Sequence, residues 1–377
     1  MRIAYLTDID LWINSGVRQK HLMQVATWNR YGHTAKIFCI PHVERIPDAA
    51  FEIDCENYEI FDTKLARLFK KGFAAYIRKI FVVNAVIKSL RRFSPDIIYE
   101  RSTTWYPGLD RILSKFPSII EYNALLEKEL EVTSKSRVRL MHSFGNRRLA
   151  DCIKGIVGVT DEITKYYTTL YNKPGITVGN GYDLGQVSAH GIHKGEGKRS
   201  PSQLIFVSSP GMIWHGIDKL FELSEYLEDV NFHLVGPYYE KQRPNFIQHG
   251  YLSKNELFEL YSKMDIGVGT LAFHRNNLTQ ASPLKVREYL AFGLPVILAY
   301  KDVDLSGQDF VLEIDNTEDT ITRNIQKIRN FINAWKGHRI SRERVERLIG
   351  YAGKEQKRLD FMNTLLTQKS IRIGLLQ

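Results

Sequence analysis

The chain has 377 residues, 44% hydrophobic and 25% charged, with three cysteines and a formal net charge of +10. That length exceeds what one hydrophobic core sustains, so two domains are expected. Cys39, Cys55 and Cys152 stand far apart without ligand spacing, which argues against a disulfide framework or zinc site and for thiols in a reducing compartment. No apolar run approaches membrane-spanning length, no secretory signal precedes the first strand, and the basic balance favours anionic partners.

Strand and helix signals alternate from the first residue, the pattern of layered parallel α/β folds. Residues 1–7 read as a strand, Ser15-Gly16 as a turn, 17–30 as a helix through Leu22, Val25 and Ala26, and 35–40 as the next strand. Residues 63–95 contain no acid, and Lys64, Arg67, Lys70, Lys71, Arg78, Lys79, Lys88, Arg91 and Arg92 interleave there with apolar residues. A basic amphipathic segment of this kind suits an anionic membrane surface, or else it packs its apolar side on the core with its charges solvated. Nucleic acid is not expected, because no zinc-finger, basic-zipper or RNA-recognition pattern accompanies the charge.

Short apolar runs at 96–99, 118–121 and 155–159 continue the series as buried parallel strands. Tyr99-Glu100-Arg101 and Glu121-Tyr122-Asn123 stand at the C-terminal ends of two of these, where an open α/β sheet places ligand groups. Residues 185–202 are poor in bulky apolar side chains and read as a linker.

A second α/β series follows, with strands at 203–207, 231–235, 246–249, 265–269 and 295–299 and helices at 217–227 and 254–264. Between its first strand and helix lies Ser208-Ser209-Pro210-Gly211-Met212-Ile213-Trp214-His215-Gly216. Towards its end, Ser282 is placed to cap a helix opened by Pro283, with Val286, Tyr289 and Leu290 on an apolar face. Gly293 supplies a left-handed stop and Pro295 forbids continuation. Free amides at that helix start, with Lys285 in the first turn, make a phosphate site; Glu288, one turn on, is placed for ribose hydroxyls or for a plain surface pair with Lys285. A charged helical tail runs from Ser341.

Gln280-x-Ser282-Pro283-x-Lys285-x-x-Glu288-Tyr289-x-Ala291-x-Gly293-x-Pro295-Val296 resembles the Glu-x7-Glu signature of family-4 retaining glycosyltransferases of the GT-B fold, with Gln280 in place of the first acid. The resemblance covers nearly the whole chain. Gly179-Asn180-Gly181-Tyr182-Asp183 resembles the Asn-Gly-x-Asp turn that ends the first domain in that family, which implies a hinge turn with a positive dihedral. It implies two Rossmann-like domains with parallel sheets facing across a cleft and a C-terminal helix crossing back to the first. The implied divisions are an acceptor-side domain at 1–184, a linker at 185–202 and a nucleotide-sugar donor domain at 203–354, with 355–377 returning to the first domain.

By the same resemblance Glu288 holds the nucleotide ribose and Gln280 contacts the donor sugar; an amide can still bond a hydroxyl as donor and acceptor. Catalytic roles fall on Gln280, Lys285 and His215. Gly16, Ser209, Gly211, Ser282, Pro283, Leu284 and Glu288 line the donor, and Glu100, Arg101, Glu121 and Asn123 the acceptor side. Ser209 and His215 replace an Arg and a Lys common in the family; His215 can donate one hydrogen bond or, with its pKa raised by phosphate, carry a charge.

The implied reaction is retaining, metal-independent transfer from a nucleoside diphosphate sugar to a glycan or lipid-linked acceptor, as in bacterial surface polysaccharide or glycolipid synthesis at the inner face of the membrane. No cofactor beyond the co-substrate is implied. The alternative is a non-catalytic nucleotide-sugar-binding subunit paired with an active partner. Asp8-Ile9-Asp10 and Asp302-Val303-Asp304 fit a divalent-metal pattern but lack supporting ligands, and Gly267-Val268-Gly269-Thr270-Leu271-Ala272 fits a dinucleotide fingerprint but leads into a loop.

Overall fold

A computed structural model of the chain describes residues 1–13, 15–41, 57–62, 76–133, 136–188 and 201–374. Readings that fall on residues 63–75 of the basic segment, on Cys55 and on 189–200 of the linker lie outside the described residues. The chain divides into two compact units, Met1–Val178 with Tyr351–Gln377, and Gly179–Gly350. No helix among the described residues is long and apolar enough to cross a membrane.

The first unit holds β1 (Arg2–Thr7), β2 (Thr34–Cys39), β3 (Tyr58–Ile60), β4 (Ile97–Arg101), β5 (Ser118–Tyr122), β6 (Gly155–Gly158) and β7 (Gly175–Thr177). They form one sheet in the order β3-β2-β1-β4-β5-β6-β7, and every pair is parallel. Among the described residues its helices up to residue 178 are α1 (Gly16–Arg30), α2 (Ile80–Phe93), α3 (Leu109–Leu113), α4 (Leu126–Thr133), α5 (Ser136–Cys152) and α6 (Asp161–Tyr171). β5 is buried at every residue, as a central parallel strand covered on both faces must be. Ile3, Tyr5, Val25, Trp28, Tyr99, Ile119 and Val157 belong to one core cluster. Strand order reverses between β1 and β4, which makes their C-terminal ends the switch point of the sheet.

The second unit holds β8 (Ser202–Val207), β9 (Val230–Val235), β10 (Phe246–Gly250), β11 (Ile266–Val268), β12 (Val296–Leu298) and β13 (Val311–Glu313), again all parallel, in the order β10-β9-β8-β11-β12-β13. Its switch point is β8 and β11. The helices are α7 (Gly185–Ser188), α8 (Ile217–Tyr226), α9 (Lys254–Ser262), α10 (Leu284–Ala291), α11 (Thr320–Trp335) and α12 (Arg342–Ile349). Ser253 and Glu256 close a capping box on α9. Phe206, Leu223, Phe232, Ile266, Ile297 and Ile328 lie in its core.

The charged tail is not one helix. It breaks at Gly350, where an added Cβ would stand 2.6 Å from the Glu346 carbonyl oxygen, and resumes as α13 (Tyr351–Gly374), which belongs to the first unit. Buried charges anchor α13. Trp28 Nε1 donates to Glu355 Oε2 at 2.8 Å, and Arg358 donates to Glu355 Oε1 at 2.9 Å and to the Val178 carbonyl at 3.1 Å.

The hinge reading of residues 179–183 needs correction, since none of them is among the residues with positive φ. Gly179 is required by space instead: a Cβ there would stand 2.1 Å from Asp304 Oδ2. At the assigned linker's ends, 185–188 is helical and Ser202 already belongs to β8.

Candidate active site

The C-terminal end of β8 is where α10 and the loop after β8 converge. Tyr289 Oη accepts from the Val207 amide at 2.8 Å, and Lys285 Nζ donates to the Val207 carbonyl at 3.0 Å. Residues 285 and 289 are one turn apart, so a single helical face grips both sides of one peptide. The Lys285 ammonium also sits 4.4 Å from the centroid of the Phe206 ring. It forms no ion pair among the described residues, and the alternative of a Lys285–Glu288 surface pair is not what the structure contains. Burial pushes Lys285 down to about 7.

The loop from Ser208 to Gly216 closes over this end. Gly216 takes φ +77°, and a Cβ on it would stand 3.0 Å from the Ala272 amide nitrogen. The Leu271 amide donates to the His215 carbonyl at 3.0 Å, which ties the loop to the segment after β11. His215 Nδ1 accepts from the Ser209 amide at 3.2 Å and lies 3.0 Å from Ser208 Oγ. The ring proton of the neutral imidazole is therefore on Nε2.

Of the two roles expected of His215, the protein without phosphate fits the neutral hydrogen-bond donor. Burial first, and the Lys285 charge second, push the imidazole down to about 3, so His215 acts as a neutral hydrogen-bond donor. Ser209 and Gly211 are exposed, and Gly211 has φ +75° with open space where a Cβ would be.

Ser282 does not cap α10. Its Oγ accepts from the Asn180 amide at 2.8 Å and from Arg287 Nη2 at 2.7 Å, so no acceptor capacity is left for the helix start. Pro283 is the residue before the helix, with ψ 141° and no side-chain cap, and Leu284 is the first helical residue. The amides of the first turn are thus uncapped and carry the helix's partial positive charge. Glu288 accepts from Tyr261 Oη at 3.2 Å; burial raises its carboxyl above the usual value, only partly offset by that bond and by the Lys254 charge. Gln280 lies part-buried in a one-residue parallel bridge to Lys301, fixed by the Ala281 amide donating to the Lys301 carbonyl at 3.1 Å.

The metal-like pairs have other partners. Asp302 and Asp304 both accept from Arg287, and Asp8 accepts from Lys79 Nζ at 2.7 Å and from Thr103. No group of three metal-ligating side chains occurs among the described residues.

In the first unit, Gly16 is the exposed first residue of α1, whose start is capped by Ser15 Oγ accepting from the Arg18 amide at 3.1 Å. Glu121 is fully buried rather than ligand-facing. Its carboxylate accepts from Lys20, from Tyr99 Oη and, at 2.9 Å, from Arg358 Nε, which locks β5 to α1 and α13. Asn123 Oδ1 accepts from Lys20 Nζ at 2.8 Å. Glu100 is as buried as Glu121, at 1% exposure, beside the Thr103 backbone, and Arg101 Nε is buried without a hydrogen-bond partner. Burial, then the neighbouring Asp8 charge, drives the Glu100 carboxyl well above the usual carboxylate range.

The sequence reading missed the Val207 peptide, the Phe206 ring beneath Lys285 and Tyr261. Of these, only the Lys285–Tyr289 spacing carried a local signal.

No curated protein sequence matches the chain. Residues 209–358 match a family model described as glycosyl transferase-like. Among solved structures, the chain is similar to sucrose-phosphate synthase from Thermosynechococcus elongatus, at 14% identity, TM-score 0.65 and coverage of 97% of this chain and 99% of that one. It is also similar to a lipopolysaccharide outer core galactosyltransferase, at 13% identity, TM-score 0.61 and coverage of 98% and 100%. An α-glucosyltransferase in complex with UDP and a 13-mer DNA aligns at 14% identity, TM-score 0.61 and coverage of 96% and 99%. The chain therefore has the GT-B fold of paired Rossmann-like units, and the region that gathers Ser209, Gly211, His215, Gln280, Lys285 and Glu288 is glycosyl transferase-like.

Proposed function

We propose that the protein is a retaining, metal-independent glycosyltransferase that moves a sugar from a nucleoside diphosphate sugar to a glycan or lipid-linked acceptor at an anionic membrane surface. The observation that carries this reading is the convergence at Val207. Lys285, the uncapped first turn of α10 and the neutral His215 meet at one strand end within a glycosyl transferase-like unit. Such an end suits a diphosphate leaving group, because ammonium, amides and an imidazole N–H all stabilise developing anionic charge.

Donor would bind the second unit, with Glu288 on the ribose hydroxyls and Gln280 on the sugar. Acceptor would bind the first, with Arg101, whose Nε–H has a hydrogen bond still to give, beside Glu100. Retention places no demand for a side-chain base, since the leaving phosphate oxygen can take the acceptor's proton. Surface-polysaccharide or glycolipid synthesis at the inner face of a bacterial membrane is the setting that the family signature implies.

Incubation with a panel of nucleoside diphosphate sugars and glycan acceptors, with the anomeric configuration of the product read by NMR, tests the reaction. Donor binding without transfer or hydrolysis would leave the non-catalytic subunit, the reading that neutral Gln280 and His215 favour. Glu288→Ala is expected to raise the donor dissociation constant about tenfold or more, since a charged hydrogen bond is worth about 1.5–3 kcal/mol; titration calorimetry measures it. Chelator should leave turnover unchanged, and a loss restored by magnesium would overturn metal independence.

A further inference from the structure

Three successive carbonyls in the turn that carries His215 accept from one neighbouring segment. Ile213 accepts from Arg275 Nη1 at 3.2 Å, Trp214 from the Ala272 amide at 3.3 Å and His215 from the Leu271 amide at 3.0 Å. The turn is therefore tied along its length to the residues that follow β11. Leu271 and Ala272 are fully buried, so the far side of these bonds is anchored in the core. Two of the three are backbone bonds that form whatever side chains stand there. Only the bond to Ile213 depends on a side chain.

That side chain is itself fixed on two sides. Arg275 Nη1 and Nη2 donate to the two Asp218 oxygens at 2.9 and 2.7 Å, and Nε and Nη2 donate to Glu318 at 3.2 and 2.7 Å. Asp218 lies in the first turn of α8, just after Gly216, and Glu318 stands two residues before α11. A planar guanidinium can serve a carbonyl and two carboxylates at once because its five N–H groups point in set directions. Its charge is committed to those carboxylates, so what it delivers to the turn is direction.

Direction matters at His215. The Ser209 amide occupies Nδ1, so the ring has one donor to offer, the Nε2–H, and the backbone of the turn sets where that donor points. We propose that Arg275 is a positioning residue for transfer, clamping the 213–215 turn so that the His215 Nε2–H is aimed at the charge developing on the leaving phosphate. The inference rests on the functional reading above for that phosphate.

Its test uses the full-length protein. Arg275→Gln should lower kcat by about tenfold to a hundredfold, the cost of displacing a catalytic group by about 1 Å. Donor affinity should change little, because a neutral donor gains most as charge builds in the transition state. Stability should change little as well, since solvent-accessible ion pairs contribute about 0–1 kcal/mol. Arg275→Lys should lose as much rate as Arg275→Gln, because one ammonium cannot reproduce the fork. In a His215→Ala background, Arg275→Gln should cost nothing further, as expected of residues that act through one another. Arg329→Gln removes an arginine held by Asp229 and the Tyr226 carbonyl elsewhere in the same unit, and should match wild type.

Nitrogen-15 NMR of the imidazoles reads the clamp without turnover, with the His215 signals assigned by their absence from His215→Ala. Wild type should show one tautomer at His215, protonated on Nε2, and Arg275→Gln a mixture as the ring leaves the Ser209 amide. An unaltered tautomer in Arg275→Gln, an undiminished loss of kcat in the His215→Ala background, or recovery by Arg275→Lys overturns the proposal. Mixed tautomers in Arg275→Gln beside a wild type that transfers no sugar would sink the functional reading and leave the clamp on the turn standing.

Discussion

Lys285→Met is expected to lower kcat by about a hundredfold to a thousandfold, the usual cost of removing one group that stabilises charge on the leaving atoms. Methionine keeps the volume over Phe206 and loses the ammonium, so fold and function separate. Tyr289→Phe is the matched control: it removes the other bond to the Val207 peptide without touching charge, and should cost about 1 kcal/mol of stability with little change in kcat.

The same lysine gives the reaction a pH signature. From an ordinary 10.5 it is pushed to about 7, so near neutrality a large part of the free protein carries a neutral amine there. A bound diphosphate favours the ammonium, and donor binding then takes up a proton. Above about pH 7 the donor dissociation constant should climb, by at most tenfold per unit, and Lys285→Met should flatten the profile. The effect on folding has the opposite sense. Between about 7 and 10.5 the unfolded chain binds more protons at this site than the folded one, so Lys285 makes stability rise with pH across that window.

Part of this site was legible because local chemistry wrote it. β1, β5 and β8 read as buried apolar runs, and the stop at Gly293 appears with φ +74°, just before β12. β3, β7 and β13 escaped because each is a three-residue edge strand with no fully buried residue, and nothing periodic survives in so short a piece.

Ser282 was misread for a different reason. A serine before a proline and a helix is a good cap locally, but its partners are Asn180, 102 residues earlier, and Arg287, neither of which enters a capping pattern. For His215 the sequence left two roles open, neutral donor or cation beside phosphate. The Ser209 amide that occupies Nδ1 is a backbone group, and side-chain identity alone does not announce it.

Arg287→Ala should destabilise the second unit by about 3–5 kcal/mol, the cost of removing one partner from a buried ion pair. Arg287 is fully buried. It donates to both Asp302 oxygens, to Asp304 Oδ2 at 2.7 Å, to Ser282 Oγ at 2.7 Å and to the Asn180 carbonyl at 3.0 Å. One side chain thereby joins the start of α10, the loop after β12 and the segment that opens the unit.

Without it, Asp302 is a carboxylate with 0% exposure and no cation, and burial already raises its pKa with Arg287 present. The variant's folded state should then bind a proton that the unfolded chain does not hold at neutral pH. Stability lost at pH 7 should partly return as pH falls towards the usual aspartate value, the same sense as the wild-type Asp302, whose pKa burial already raises, but larger. Arg287→Ala/Asp302→Asn removes that buried charge and should recover part of the loss at pH 7. Thermal unfolding across pH measures both, and a variant as stable as wild type, or one indifferent to pH, would show that the Arg287 network holds nothing together.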